Sequence, residues 1–287
     1  MKSFYKLMAA AAAIFVCAAC AQQPAFELQD HIGICGVKNA PLAAQCGLAY
    51  VEANVAGYLV PEKSDEEFAA VRAETDLAGL PVETANGFFP ADIKVVGPEA
   101  DLPRAIAYSQ TAIRRAAEAG LSILVLGSSR SRTIPEGWTR EQAEEQFLSL
   151  LKGMAPTAEQ YGVTVAIEPL RLQETNFINT VKEGAALARQ TGSPAIAVIA
   201  DFYHMACVGE PAESIVENAD KLVHCHIAEQ ANRTAPGVDG DDFTPYFRAL
   251  RSIGYKGRVS FECRWNDLEK ELPAAVAVMK EQIAKVK

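Results

Sequence analysis

Four carboxylate or imidazole side chains stand where strand-like runs end, and together they could hold a divalent cation. Residues 163–170 read VTVAIEPL, a run suited to a buried strand that meets Glu168 and then a proline. AIAVIADFYH (195–204) brings Asp201 to the end of a second run, with His204 three residues on. KLVHCHIA (221–228) carries His224 and His226, and GRVSFECRW (257–265) carries Glu262. A buried carboxylate is very costly unless it reaches water or meets a cation. Two Glu, one Asp and one His make a hard, oxygen-rich set with one nitrogen, which suits Mn²⁺, Mg²⁺ or Co²⁺ and also admits Zn²⁺. Each residue alone has a plainer reading. A strand-end Glu can be solvated at a rim, and an Asp before an aromatic is often a helix cap. His224 shares strand parity with His226 but sits deeper, so it reads as a hydrogen-bonded core histidine. His226 by itself reads equally as ligand or core. Four such ends on four successive strands outweigh the plain readings and point to a shared metal.

Those ends need a scaffold that brings them together. The body alternates apolar runs with longer helical patterns. The first four runs are HIGICG (31–36), LAYVEANV (48–55), PVETANGFF (81–89) and LSILVLGS (121–128), and the four ligand-bearing runs follow. Between them lie helix-like segments at 64–79, 101–120, 140–162 and 179–192, each ending in Gly, a common helix stop. Ser64, Asp65 and Thr139 sit where helix N-caps belong. The runs are near-continuously apolar, as in parallel strands covered on both faces. Eight βα units over residues 31–287 predict an α/β fold, a single (β/α)8 TIM barrel, whose chemistry lies at the C-terminal strand ends. No GxGxxG follows the first strand, which counts against a dinucleotide fold.

The N-terminus reads as a targeting segment. MKSFYK supplies two lysines and LMAAAAAIFVCAA a short apolar stretch, too short for a comfortable membrane span. We read residues 1–19 as a signal peptide, Cys20 in CAAC as a lipidation site and 20–30 as a tether. That predicts an exported, membrane-anchored bacterial lipoprotein on the periplasmic side or cell surface, touching membrane only through its lipid. Removing residues 1–19 takes two lysines and no acid, so the formal charge goes from −9 to −11. With no long basic run, nucleic acid is not an expected partner. Cys35, Cys46, Cys207, Cys225 and Cys263 would remain, with no CxxC among them. Whether Cys35 and Cys46 pair is left open.

VTVAIEPLRLQETNFINT, IAVIADFYHM, LVHCHIAEQANRTAPG and GRVSFE resemble the xylose-isomerase-like TIM barrels, in particular the subgroup of ketose 3-epimerases and hydroxypyruvate isomerases. GSSRSRTIPEG resembles a stretch after that family's fourth strand. The resemblance runs over most of the chain from about residue 30. It implies Glu168, Asp201, His226 and Glu262 as metal ligands, with Mn²⁺ first among the ions. It implies Glu168 and Glu262 as acid and base, Glu174 as a supporting or substrate contact, and His204 and Arg233 as binders of substrate oxygens. Glu229 stands where Asp is common, and the segment between His226 and Arg233 is one residue longer than the usual pattern.

The expected chemistry is that of a metal-dependent sugar isomerase or epimerase. The ion polarises a carbonyl and a neighbouring hydroxyl, a carboxylate removes the adjacent proton, and the enediolate stays on the ion. The acidic charge favours a neutral sugar or keto-sugar, and a homo-oligomer is compatible with this reading. The alternatives are a 3-keto-glycoside lyase using the same metal site, or a non-catalytic sugar-binding lipoprotein. A metallo-phosphodiesterase ranks low, because the chain has only four histidines and no basic surface.

Overall fold

The structure, a computed structural model, describes residues 26–286. Eight strands form the predicted barrel: β1 (Ile32–Cys35), β2 (Tyr50–Asn54), β3 (Val82–Asn86), β4 (Ile123–Leu126), β5 (Thr164–Ile167), β6 (Ile196–Asp201), β7 (Leu222–Ile227) and β8 (Arg258–Phe261). They pair in chain order, all parallel, and β8 closes on β1. The helices are α1 (Ala40–Gln45), α2 (Asp65–Glu74), α3 (Leu102–Ala119), α4 (Ser129–Arg132), α5 (Arg140–Tyr161), α6 (Val181–Thr191), α7 (Phe202–Val208), α8 (Glu213–Glu217), α9 (Thr244–Ser252) and α10 (Leu268–Ala284).

Local sequence explains where the long helices begin and what they bury. Ser64 and Thr139 cap α2 and α5 through reciprocal bonds with Glu67 and Gln142. Asp65 is the first residue inside α2 rather than its cap. Helix α3 buries Ala105, Tyr108, Ser109, Ala112, Ile113 and Ala116, a spacing of three and four that makes one apolar stripe against the barrel. Phe26 and Leu28, in the stretch read as tether, are buried in this core. The signal segment 1–19 and Cys20 lie outside the described residues. No described helix is long and apolar enough to cross a membrane. Cys35, Cys46, Cys207, Cys225 and Cys263 are all free thiols.

The barrel interior is filled unequally. On β4 to β6 it holds a small apolar cluster of Ile123, Val125, Ala166 and Ile199. Across from it, β2, β7 and β8 contribute Tyr50, Glu52, His224, His226 and Ser260, all fully buried. Gly33 on β1 makes this possible, because a Cβ there would strike the Tyr50 ring.

Candidate metal centre

Strands β5 to β8 deliver the four expected residues to one point. Glu168 follows β5, Asp201 closes β6, His226 is the penultimate residue of β7 and Glu262 follows β8. One ligand atom from each lies within 4.8 Å of all the others. His226 Nδ1 is 3.1 Å from Glu168 Oε1, 3.0 Å from Glu262 Oε2 and 3.9 Å from Asp201 Oδ2.

The supporting bonds leave ligand atoms pointing inward. Asp201 caps α7 with Oδ1, which accepts from the Tyr203 and His204 amides at 2.8 and 3.2 Å. Its Oδ2 is buried without a hydrogen-bond partner. His204 Nδ1 accepts from the Arg171 amide at 3.1 Å, so the ring carries its proton on Nε2. That Nε2 is also buried without a partner, 3.6 Å from Asp201 Oδ2. Two unsatisfied buried polar atoms, Asp201 Oδ2 among the four ligands and His204 Nε2 beside it, therefore lie at the cluster. Native interiors seldom leave such atoms without an ion, water or substrate to meet them. Three carboxylates converging on one imidazole nitrogen make the same demand in charge. The residues fit a divalent cation.

Glu52 was not anticipated as part of the site, and it is central to it. Fully buried in β2, it accepts from His226 Nε2 at 3.0 Å through one oxygen. Its other oxygen accepts from His224 Nε2 at 3.0 Å and from Ser260 Oγ at 2.6 Å, and Ser260 lies 2.8 Å from the Tyr50 hydroxyl. A carboxylate can only accept here, so His226 holds a proton on Nε2 and its neutral tautomer offers Nδ1 as a ligand. His224 belongs to this buried network and stands outside the ligand cluster, as a core histidine would. Cys35, Glu52 and His226 form a second close group. Burial and the Glu52 charge push the Cys35 thiol well up, which opposes the thiolate a metal would need.

Charge separates the two glutamates. Burial and the charge of Glu262 raise the Glu168 carboxyl above its ordinary range. Burial pushes Glu262 upward too, but His226 and Arg233 outweigh it and hold Glu262 at about 2. Burial depresses His226, but Glu52 and Glu262 overcome it and raise the imidazole well above its usual value. A cation arriving at Nδ1 would displace that second proton, since metal ligation requires neutral imidazole.

The expected contact residues divide. Arg233 reaches the cluster: its guanidinium bonds Glu262, lies 3.6 Å from Asp201 Oδ2 and rests on the Tyr203 ring at 4.9 Å. Glu174 stands one step back, on Arg171 at 2.9 Å. Arg171 lies on the same Tyr203 ring at 5.2 Å. Glu229 is buried and accepts the backbone amides of Gly237, Asp239, Gly240 and Asp241, so it ties down the loop that follows Arg233. Two other contributors were missed. Asn86 at the end of β3 donates to Glu262 Oε1 at 3.0 Å. The buried Arg132 donates to the carbonyls of Gly127 and Glu168 at 2.7 and 2.6 Å. Gly127 must stay bare, because a Cβ there would collide with Glu168 Oε2. Glu52 and Asn86 did leave a trace in the sequence, as polar residues inside or closing apolar strand runs, the same anomaly that singled out Glu168.

Residues 40–282 match the family model described as xylose isomerase-like TIM barrel. The chain belongs to that family. Within the xylose isomerase-like barrels, it is 35% identical over 130 residues to an L-ribulose 3-epimerase of Mesorhizobium japonicum, covering 44% of this chain and 42% of that one. It is 27% identical over 226 residues to a D-psicose 3-epimerase of Agrobacterium fabrum, covering 76% of each chain. The matched region thus spans about two fifths of the first of these relatives and about three quarters of the second. The fold superposes on a D-psicose 3-epimerase of Clostridium cellulolyticum H10 with a TM-score of 0.77 at 21% identity, over 88% of this chain and 99% of that one.

Proposed function

We propose that this chain is a divalent-metal-dependent isomerase or epimerase of a small sugar or keto-sugar, moving a proton at a carbon next to a carbonyl. The observation that carries the reading is the convergence of Glu168 and Glu262 on one His226 nitrogen, beside the bare Asp201 Oδ2 and His204 Nε2. Relatives named as ketose 3-epimerases and a 2-oxo-tetronate isomerase support it.

Glu168, Asp201, His226 and Glu262 would hold the ion, with Mn²⁺ first and Mg²⁺, Co²⁺ and Zn²⁺ as alternatives. When bound, a divalent ion polarises a carbonyl and makes the neighbouring C–H acidic. The chain's own residues do the rest. Glu168 and Glu262, both converging on the His226 nitrogen, would serve as the acid–base pair, one taking a proton and the other returning one. The His204 Nε2–H and the Arg233 guanidinium orient substrate oxygens and meet negative charge as it develops. Return of the proton to the other face of the same carbon gives epimerisation, and return to the neighbouring carbon gives aldose–ketose isomerisation.

The test is a panel of ketoses, aldoses and 3-keto-glycosides in D₂O with added Mn²⁺, followed by NMR. Deuterium should enter a carbon next to the carbonyl, and EDTA should stop it. Binding without C–H exchange would replace this reading with that of a sugar-binding protein. Release of a free aglycone from a 3-keto-glycoside would move it to a lyase.

For the N-terminus the proposal is export and lipid anchoring at Cys20, on the strength of the CAAC stretch behind a short apolar segment. Cys20→Ala should leave the protein unprocessed or absent from the membrane fraction. Unchanged membrane recovery would reduce the proposal to secretion.

A further inference from the structure

Beside Glu262 a cleft of about 390 Å³ opens outward between the ends of β8 and β1. Its charged lining is one-sided. Lys38, Arg233 and Arg264 line it, against the single carboxylate of Glu262, which Arg233 already engages. Lys38 and Arg264 are exposed, and among the described residues neither has an ion-pair partner. The surface is acidic overall; the exposed Arg104 and Arg189 have found carboxylates, while the exposed Arg130 and Arg248, like Lys38 and Arg264, have none among the described residues.

The two cations are carried on fixed backbone. Asn39 Nδ2 donates to the Cys35 carbonyl at 2.8 Å and closes the turn that bears Lys38. The Arg264 amide donates to the Arg233 carbonyl at 2.7 Å, so Arg264 is tied to the loop that also places Arg233 on Glu262. Trp265 meets the Phe261 ring edge-on at 6.1 Å, and both line the cleft. The cleft thus brings Glu262 and Trp265 together with Lys38 and Arg264, two cations without ion-pair partners among the described residues.

We propose that this cleft receives an oxyanion carried by the substrate, a carboxylate or phosphate on a sugar, held by Lys38 and Arg264. The inference rests on the reading of Glu168 and Glu262 as the reacting groups and narrows the substrate class to acidic sugars. It revises the expectation of a neutral sugar, which was drawn from net charge. Net charge acts at long range and is screened beyond about 10 Å at 0.1 M salt, whereas a cleft lined by cations acts at contact.

The test is calorimetric binding to the Mn²⁺-loaded full chain of three compounds that differ at one carbon: D-glucose, D-glucuronate and D-glucose 6-phosphate. At least one of the anions should bind about tenfold more tightly than glucose, the scale that two partly screened ion pairs supply. Whichever anion gains identifies the oxyanion. The double variant Lys38→Ala, Arg264→Ala should bring that anion down to the level of glucose. Equal affinities, no measurable binding of any of the three, or a preference that survives the double variant would overturn the inference. Deuterium exchange reports separately on the isomerase reading: a charge preference without exchange removes the chemistry and leaves the anion subsite standing.

Discussion

The two halves of the barrel do different work at the same mouth. Strands β5 to β8 end in Glu168, Asp201, His226 and Glu262, the groups that face the enclosed space. Strands β2 to β4 end in neutral groups and reach the site from behind. Asn86 steadies Glu262, Arg132 after β4 clamps the Glu168 carbonyl, and Glu52 within β2 fixes His226 from below. The difference shows how a barrel can concentrate charge without flying apart. One half presents the carboxylates and, in Arg233, a cation among them; the other supplies Asn86, Arg132 and the buried Glu52, whose hydrogen bonds aim Glu262, the Glu168 backbone and His226. If this division is right, substitutions should rank by half, with ligands first and supports after them.

The largest effect should come from Glu262→Gln. The change keeps size and one oxygen but removes basicity and one negative ligand. Turnover on a substrate that exchanges deuterium should fall by several orders of magnitude, beyond the ~10²–10⁴-fold of acid–base catalysis alone. Far-UV circular dichroism should be unchanged. A variant within tenfold of the parent would show that Glu262 neither holds the ion nor moves the proton.

The two histidines on β7 sharpen the comparison within one strand. Both touch Glu52 at 3.0 Å, yet only His226 turns its other nitrogen to the carboxylates. His226→Ala should abolish tight binding of Mn²⁺, and the protein should then lose the protection that the ion gives against heat. At an ion concentration a hundredfold above Kd, that protection is about 2.7 kcal/mol, or roughly 5–10 °C for a domain of this size. His224→Ala should retain most of it. Equal losses in calorimetric titration and melting would mean that the ligand has been assigned to the wrong ring.

The sequence made the ligand half legible and left the supporting half largely hidden. All eight strands could be read because parallel barrel strands are apolar on both faces, and their glutamates and histidines then stand out at the C-terminal ends. Ser64 and Thr139 were legible as caps for the same local reason. Glu52 was not, because its role comes from partners 172 and 174 residues away and from a register shift between Val51 and Glu52. Such an irregularity re-aims a side chain in a way that no two-residue period reveals. Arg132 was hidden differently: in GSSRSR it reads as a surface arginine, and only the turn that follows β4 buries it.

Glu52→Gln tests the supporting half directly and should cost less than the loss of Glu262 or His226. Burial pushes the Glu52 carboxyl up, but His226 and His224 outweigh it and hold it well below its ordinary range, so in the parent it is a pure acceptor. A glutamine amide is nearly the same shape but has one acceptor and one donor end. It can accept from His226 Nε2 or from the His224 and Ser260 side, but not from both. One ring then loses its anchor, and the Nδ1 of His226 is no longer held toward the ion by a charged partner. Outer-shell changes of this kind typically weaken metal binding ~10–100-fold. The Mn²⁺ titration should show that loss, and saturating Mn²⁺ should restore most of the deuterium exchange, because the reacting carboxylates are untouched. Glu52→Asp, which keeps the charge but shortens the reach, should recover less affinity than the parent and more than Gln. An unchanged Kd would leave Glu52 as a core carboxylate with no bearing on the ion. A loss of exchange that saturating Mn²⁺ could not restore would place it among the reacting groups, and the division of labour between the two halves would fall.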